Sequence, residues 1–209
     1  MAKDARALLA EATRPPVEPQ AQASARRDEL LELAYRYVLE HGLAELSLRP
    51  LAAAIGSSPR VLLYLFRSRD GLMRALLARA RAEELEILDR LRSRGADDLA
   101  SVAAELWRWL AAEEHRALLR LWVEGYARSL VDPGGPWAGF ASATVDDWLV
   151  LLATAQPPRQ RDTPSGEAQR TLVLAVLRGA LLDLLATSDR ERTSAAVHGQ
   201  LRALCGPTP

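Results

Sequence analysis

Cysteine is almost missing from this chain. A single one, Cys205, in 209 residues excludes an intramolecular disulfide and leaves no cysteine set for a metal, as suits a reducing compartment. An excess of charge of either sign is missing too: 27 Lys and Arg stand against 27 Asp and Glu. Bulk electrostatics therefore names no polyanionic partner, and any such partner has to be sought in how the charges are distributed. Long apolar runs are absent. The densest, from Thr171 to Leu177, is far too short to span a bilayer, and residues 1–24 carry no secretory leader pattern, so a cytoplasmic protein without membrane contact is expected. The three histidines (His41, His115, His198) are scattered, and there is no His-Glu-x-x-His, phosphate-binding glycine loop or dinucleotide fingerprint. The reading is accordingly of no enzyme, no catalytic residue, no metal and no cofactor.

What is present is helical. Hydrophobic residues make up 49% of the chain, ample for a core, and Ala and Leu dominate where strands would favour Val, Ile and Thr. Sustained two-residue alternation is lacking. Residues 1–24, with Pro15, Pro16 and Pro19, read as a mobile arm. The periodicity then predicts about nine helices. The first runs from Asp28 to Glu40, two short ones follow Ser47 and Ser58, and a long fourth runs from about residue 69 to 92. Five more start near Asp97, Glu113, Pro136, Gly166 and Arg190. The expected architecture is all-α: a compact three-helix head at 25–72, joined by the long fourth helix to a larger helical body at 73–206.

The charge distribution is uneven where it matters. Helix N-termini carry partial positive charge and favour acids, a preference of about 0.3–1 kcal/mol per group. Helices two, three and four instead place Arg49, Arg60 and Arg69 in or beside their first turns. The window from 49 to 74 holds five arginines and one aspartate. Three successive helix starts with guanidinium groups beside unsatisfied N–H groups make an anion-binding surface. Two short helices joined through Gly56-Ser57 match a helix-turn-helix, whose second helix enters the DNA major groove by its N-terminal end. Ser58 reads as its cap and Pro59 as its first residue. In that register Arg60 can grip a guanine edge, Val61 can pack on a thymine methyl, and Tyr64 can reach a phosphate or sugar.

The stretch Leu46 to Leu72 carries a further pattern. Ser47 stands at a helix cap, Leu51-Ala52 form an apolar-Ala pair, and Gly56-x-Ser58 marks the turn. An apolar-aromatic run from Leu62 to Phe66 follows, and Ser68-Arg69-Asp70-x-Leu72 opens the next helix. This set, with His41-Gly42 ahead of it, resembles the DNA-binding head of the TetR family of bacterial transcriptional regulators. It departs from the family pattern at Leu63, where a tyrosine is usual, and at Pro50, where an acid is common. The resemblance implies phosphate contacts from Ser47, Arg49 and Arg69, and a recognition helix from Ser58 to Tyr64. It also implies a homodimer on a palindromic operator in double-stranded DNA and release by a small-molecule effector. The alternative is a helical small-molecule or protein-binding dimer whose head no longer grips DNA.

In the body the aromatic residues concentrate. Trp107, Trp122, Tyr126, Trp137, Phe140, Thr144 and Trp148 are the candidate lining of an effector pocket suited to a hydrophobic or cationic molecule, with ordinary core filling as the competing reading. His115, Glu124, Asp147 and Arg178 are polar candidates beside these stripes. Arg178 is a lone charge in an otherwise apolar helix and needs a partner: a carboxylate across a dimer, a helix end or a ligand. For the dimer face the expectation is Leu174, Leu181, Leu185, Val197, Leu201 and Leu204 of the last two helices.

Overall fold

A computed structural model of the chain describes residues 19–43, 46–93 and 98–205. Among them are ten α-helices and no strand. The head comprises α1 (Pro19–His41), α2 (Leu48–Ala54) and α3 (Pro59–Phe66), and α4 (Arg69–Ser93) leads out of it. The body comprises α5 (Leu99–Leu110), a 3-10 turn (Glu113–His115), α6 (Arg116–Val131), α7 (Phe140–Thr154), the single turn α8 (Pro158–Arg161), α9 (Pro164–Thr187) and α10 (Arg190–Cys205). The all-α fold matches the expectation. The helix beyond the expected nine is α8, a single turn between α7 and α9.

The first helix departs most from the sequence reading. It starts at Pro19 rather than Asp28, so residues 19–24 of the expected arm are helical, and Asp28 and Glu29 lie well inside it. Proline is tolerated in a first turn because its missing N–H would have had no helical partner there. Residues 1–18 of that arm lie outside the described residues. Along α1, Leu30, Ala34 and Val38 recur every fourth position with 0% exposure and form the inner stripe. Gly42, at φ +77°, then turns the chain out of the helix.

The tight head depends on caps and on one close approach. Ser58 sits in extended geometry and its side chain accepts from Val61 N, with Pro59 as the first helical residue, as the spacing predicted. Ser68 caps α4 by accepting from Gly71 N at 2.9 Å. A Cβ on Gly71 would lie 2.0 Å from the Phe66 carbonyl oxygen, so only glycine lets α4 begin this close to the end of α3. Between the two helices Arg67 takes φ +69°, a conformation that is strained for a residue with a side chain.

Two cores result. One joins Leu30, Val38, Leu51, Leu62 and Phe66 of the head to Leu72, Met73 and Leu76 of α4. The other is built from α5, α7, α9 and α10 around Leu106, Trp107, Leu152 and Leu177, with Ile87 and Leu88 of α4. The head core is not closed by head residues alone. Leu118 and Leu121 of α6 and Trp137 complete it, and Glu124 of α6 accepts from Leu43 N at 3.1 Å. The body therefore holds the head at two places, through α4 and through α6.

Candidate nucleic-acid face and interior slot

On α3 the side chains divide cleanly. Leu62 and Phe66 are buried, while Arg60, Val61, Leu63, Tyr64 and Arg67 are exposed. At 100° per residue Arg60, Val61, Leu63 and Tyr64 occupy one continuous arc, and Arg67 follows just past the helix end. Tyr64 is 71% exposed, Leu63 41% and Val61 39%, so three sizeable apolar or aromatic side chains share an outward face with two arginines. The structure brings Arg60, Val61 and Tyr64 together as the sequence spacing required. It adds Leu63, which sequence reasoning set aside, and Arg67, counted before only among the clustered arginines; the fact that positions 60, 63 and 64 share one helical face was the available signal.

Arg49 lies exposed in the first turn of α2, and Ser47 precedes it at the cap position with its side chain making no capping bond. Arg69 is exposed at the start of α4, but one of its nitrogens donates to the Leu46 carbonyl at 3.1 Å, so part of this guanidinium is spent on pinning the loop before α2. Among the described residues none of Arg49, Arg60, Arg67, Arg69 and Arg74 has a carboxylate within 4.0 Å. Elsewhere Arg26, Arg79, Arg116, Arg128 and Arg192 are all paired with acids. The head thus presents unneutralised guanidinium groups while much of the remaining surface is internally balanced.

The aromatic residues of the body do not form one cavity. Trp107 is 1% exposed, and its indole N–H donates to Ser194 Oγ at 3.0 Å, which directs it to α10 as core. Trp137 and Phe140 meet edge to face, 6.4 Å between centroids, in and beside the head core. Thr144 is fully buried and Tyr126 stands behind Arg178. Of the predicted lining, Trp122, Trp148 and Arg178 do border a common void. They share it with Ala80, Glu84, Trp109, Leu110, Leu118, Leu119, Leu177 and Leu181, and the cavity between them is only about 20 Å³. The void is a thin slot between α4, α5, α6, α7 and α9.

Glu84 and Trp109 of this slot were missed. Glu84 was discoverable, because it stands four residues from both Ala80 and Leu88 on the inner face of α4, where an acid has no place without a role. It is 6% exposed and accepts from Trp148 Nε1. Desolvation pushes its carboxyl above the ordinary range, against the lowering pull of Trp148 and Arg81. Next to it, Arg81 pairs with Asp147 and donates to the Ala143 carbonyl, tying α4 to α7 a second time. Opposite, Arg178 Nη1 donates to the Tyr126 hydroxyl at 3.2 Å, and its guanidinium lies 5.0 Å from the Tyr126 ring centre and 5.7 Å from that of Trp122. Burial lowers its affinity for the proton. Arg178 Nε and Nη2, Glu84 Oε2 and Trp122 Nε1 are buried without a partner among the described residues. Of the other polar candidates, Asp147 is held by Arg81, Glu124 by the head, and His115 stacks on Trp109 with its Nδ1 at 2.8 Å from that residue's carbonyl.

Four of the six expected dimer residues are interior. Leu174, Leu181, Val197 and Leu201 are 1–3% exposed inside their own subunit, with Leu185 and Leu204 packed against them. The sequence argument found the apolar stripe of α9 and α10 and gave it the wrong destination: that stripe faces α5 and α7. The outward face of α9 runs instead through Ala168, Leu172, Ala175, Gly179 and Leu182, with Leu172 45% and Leu182 52% exposed. A parallel run of small residues on α10 includes Ala195, Ala196 and Ala203.

A helix-turn-helix head carried by a long helix on an all-α body is the fold of the TetR-family transcriptional regulators, and the resemblance extends over most of the chain. A transcriptional repressor of the helix-turn-helix type from Mycobacterium tuberculosis, Rv1474c, is 28% identical over 178 residues, 83% of this chain and 90% of its own. Among solved structures, a TetR-family member from Streptomyces coelicolor is 26% identical and superposes with a TM-score of 0.64 over 88% of this chain and 99% of its own. The multidrug-binding protein EbrR, solved with imidazole, is 25% identical at a TM-score of 0.63, over 94% and 99%. No protein-family model matches the sequence.

Proposed function

We propose that the protein is a DNA-binding transcriptional repressor that acts as a homodimer on a palindromic operator and lets go when a small, largely apolar effector enters the interior slot. The observation that carries this reading is the α3 face: Val61, Leu63 and Tyr64 exposed beside Arg60 and Arg67, which, like Arg49 and Arg69, have no acid partner among the described residues. Exposed apolar groups flanked by free cations are costly on a surface that meets only water, and suit a groove lined by thymine methyls, base edges and phosphates. In this role residues 25–72 are the DNA-binding domain and 73–206 the effector and dimerisation domain. Ser47, Arg49 and Arg69 hold the backbone, while Ser58 and Pro59 set the angle at which α3 enters the groove.

The outward faces of α9 and α10 are the dimer surface in this reading. Small residues there allow two copies to pack their helix pairs closely, and a twofold arrangement sets two α3 helices roughly 34–36 Å, one DNA turn, apart. The slot couples to that spacing through shared side chains. Ala80 lines the slot and also belongs to the head core, and Leu118 does the same from α6. Because the slot is thin, an occupant has to part α4 from α6 and α7, which displaces the two elements that hold the head. Release follows only if the effector binds the parted state more tightly than the closed one.

Titrating the full chain with duplex DNA at increasing salt tests the core of this proposal. Binding should weaken linearly on logarithmic axes, and Arg49→Ala should lower the slope by about 0.9, the share of one phosphate. Absence of duplex binding at low salt would leave the alternative, a helical dimer with an idle head.

A further inference from the structure

We propose that the slot takes an effector with an apolar body and a single carboxylate-class anionic group, bound at Arg178. This rests on reading the slot as the effector site. The aromatic lining by itself would suit a cation, but one of its three tryptophans, Trp122, together with Tyr126 behind it, already holds one. The Arg178 guanidinium lies over both Trp122 and Tyr126, at 5.7 and 5.0 Å from their centres, and an incoming cation would have to displace a covalently tethered one.

The hydrogen-bond inventory points the same way. A guanidinium is a permanent cation with five N–H donors in a planar fork. Arg178 uses one nitrogen, Nη1, on a neutral phenol. Nε and Nη2 are both sealed from solvent and bond to nothing among the described residues, and no carboxylate lies within 4.0 Å of it. Nε and Nη2 are also the side-on pair that receives the two oxygens of a carboxylate. Two adjacent unused donors on a buried charge are a large unpaid desolvation, and an anion seated on them removes it. The rest of the slot asks for hydrocarbon: Leu118, Leu119, Leu177 and Leu181 line it.

Glu84 is near enough for its charge to be felt at Arg178 but is not bonded to it, which leaves the Nε and Nη2 donors free. Its carboxyl is bonded to the Trp148 indole and is held toward its neutral form by burial, with the Arg81–Asp147 pair alongside.

Three probes of matched chain separate the charge class: octanoate, octylamine and 1-octanol, each titrated into the full-length protein and followed by tryptophan fluorescence and calorimetry. Octanoate should bind at least tenfold more tightly than octylamine. Arg178→Met should cost octanoate at least tenfold while leaving 1-octanol unchanged, and Arg178→Lys should restore part of the loss. Should Arg178→Met fail to fold, the comparison of the three probes on the unaltered protein decides. Octylamine binding as well as octanoate, or an Arg178→Met variant that holds octanoate undiminished, overturns the anionic assignment and leaves the slot a ligand site of another class. Failure of all three probes to bind removes the slot as an effector site together with the assignment.

Discussion

At the scale of single residues, what matters is where charge lies and whether it has a partner. Arg60 stands exposed in the first turn of α3 and unpaired, as a groove-reading side chain must be. Arg60→Ala should cost about 1–3 kcal/mol of specific duplex binding and relax discrimination at one base pair, read by competition with single-base operator variants. This position was legible in advance, because a serine cap and a proline fix the helical register to the residue. Arg178 was legible only as an anomaly: a lone charge in an apolar helix requires a partner, but its identity depends on packing that no local pattern encodes. Glu84 went unread because α4 is rich in charge and one more acid does not stand out until its neighbours are placed. Its carboxyl gains a proton more readily folded than unfolded, so it favours the folded state below its unfolded pKa, and that advantage fades as pH rises toward its raised folded value. Thermal unfolding of Glu84→Gln should therefore show a smaller loss of stability from mildly acid to neutral pH than the unaltered chain, whose Arg81, Asp147 and Arg178 surround the same group.

Individual helices show why boundaries were harder to read than faces. α3 has a strong start in Ser58-Pro59 and begins where the sequence put it, and Arg67 at positive φ stops it after Phe66. α1 has no such signal at Asp28. Nothing from Ala21 to Arg27 opposes a helix, so it continues back to Pro19, and the acids read as its first turn are interior. The turn from α3 into α4 is the tightest point of the head. Gly71→Ala would drive a methyl into the Phe66 carbonyl and should lower head stability by about 1–3 kcal/mol, seen as a lower unfolding midpoint. Ser58→Ala removes only the bond from Val61 N, and about 0.5–2 kcal/mol is expected in the same measurement.

For the whole molecule, the arrangement of head, connecting helix and body could be read from the change in helix length and the clustering of arginines, since both follow from local composition. The internal dimensions could not. A stripe of leucines at helical spacing says that a face is buried and not by what, and so Leu174, Leu181, Val197 and Leu201 were assigned to a second subunit when they face their own. The aromatic stripe divided for the same reason: Trp107 turns toward α10, Trp137 toward the head, and only Trp122 and Trp148, now with Trp109, reach the slot. The face left over on α9 makes its own prediction. Leu182→Arg, at a position 52% exposed, should leave the subunit folded by circular dichroism and give a monomer by light scattering where the unaltered chain is expected to give the proposed dimer.

The central claim is that the α3 face, carried in two copies, reads a defined DNA sequence. Repeated selection of bound duplexes from a fully randomised pool measures this directly with the purified full-length chain. The account predicts enrichment of one motif with twofold symmetry, its half-sites centred about one helical turn or a whole multiple apart, and loss of preference at a single symmetric pair of positions when Arg60→Ala is selected in parallel. A pool that binds without enriching any sequence, or a motif that Arg60→Ala enriches unchanged, would contradict it.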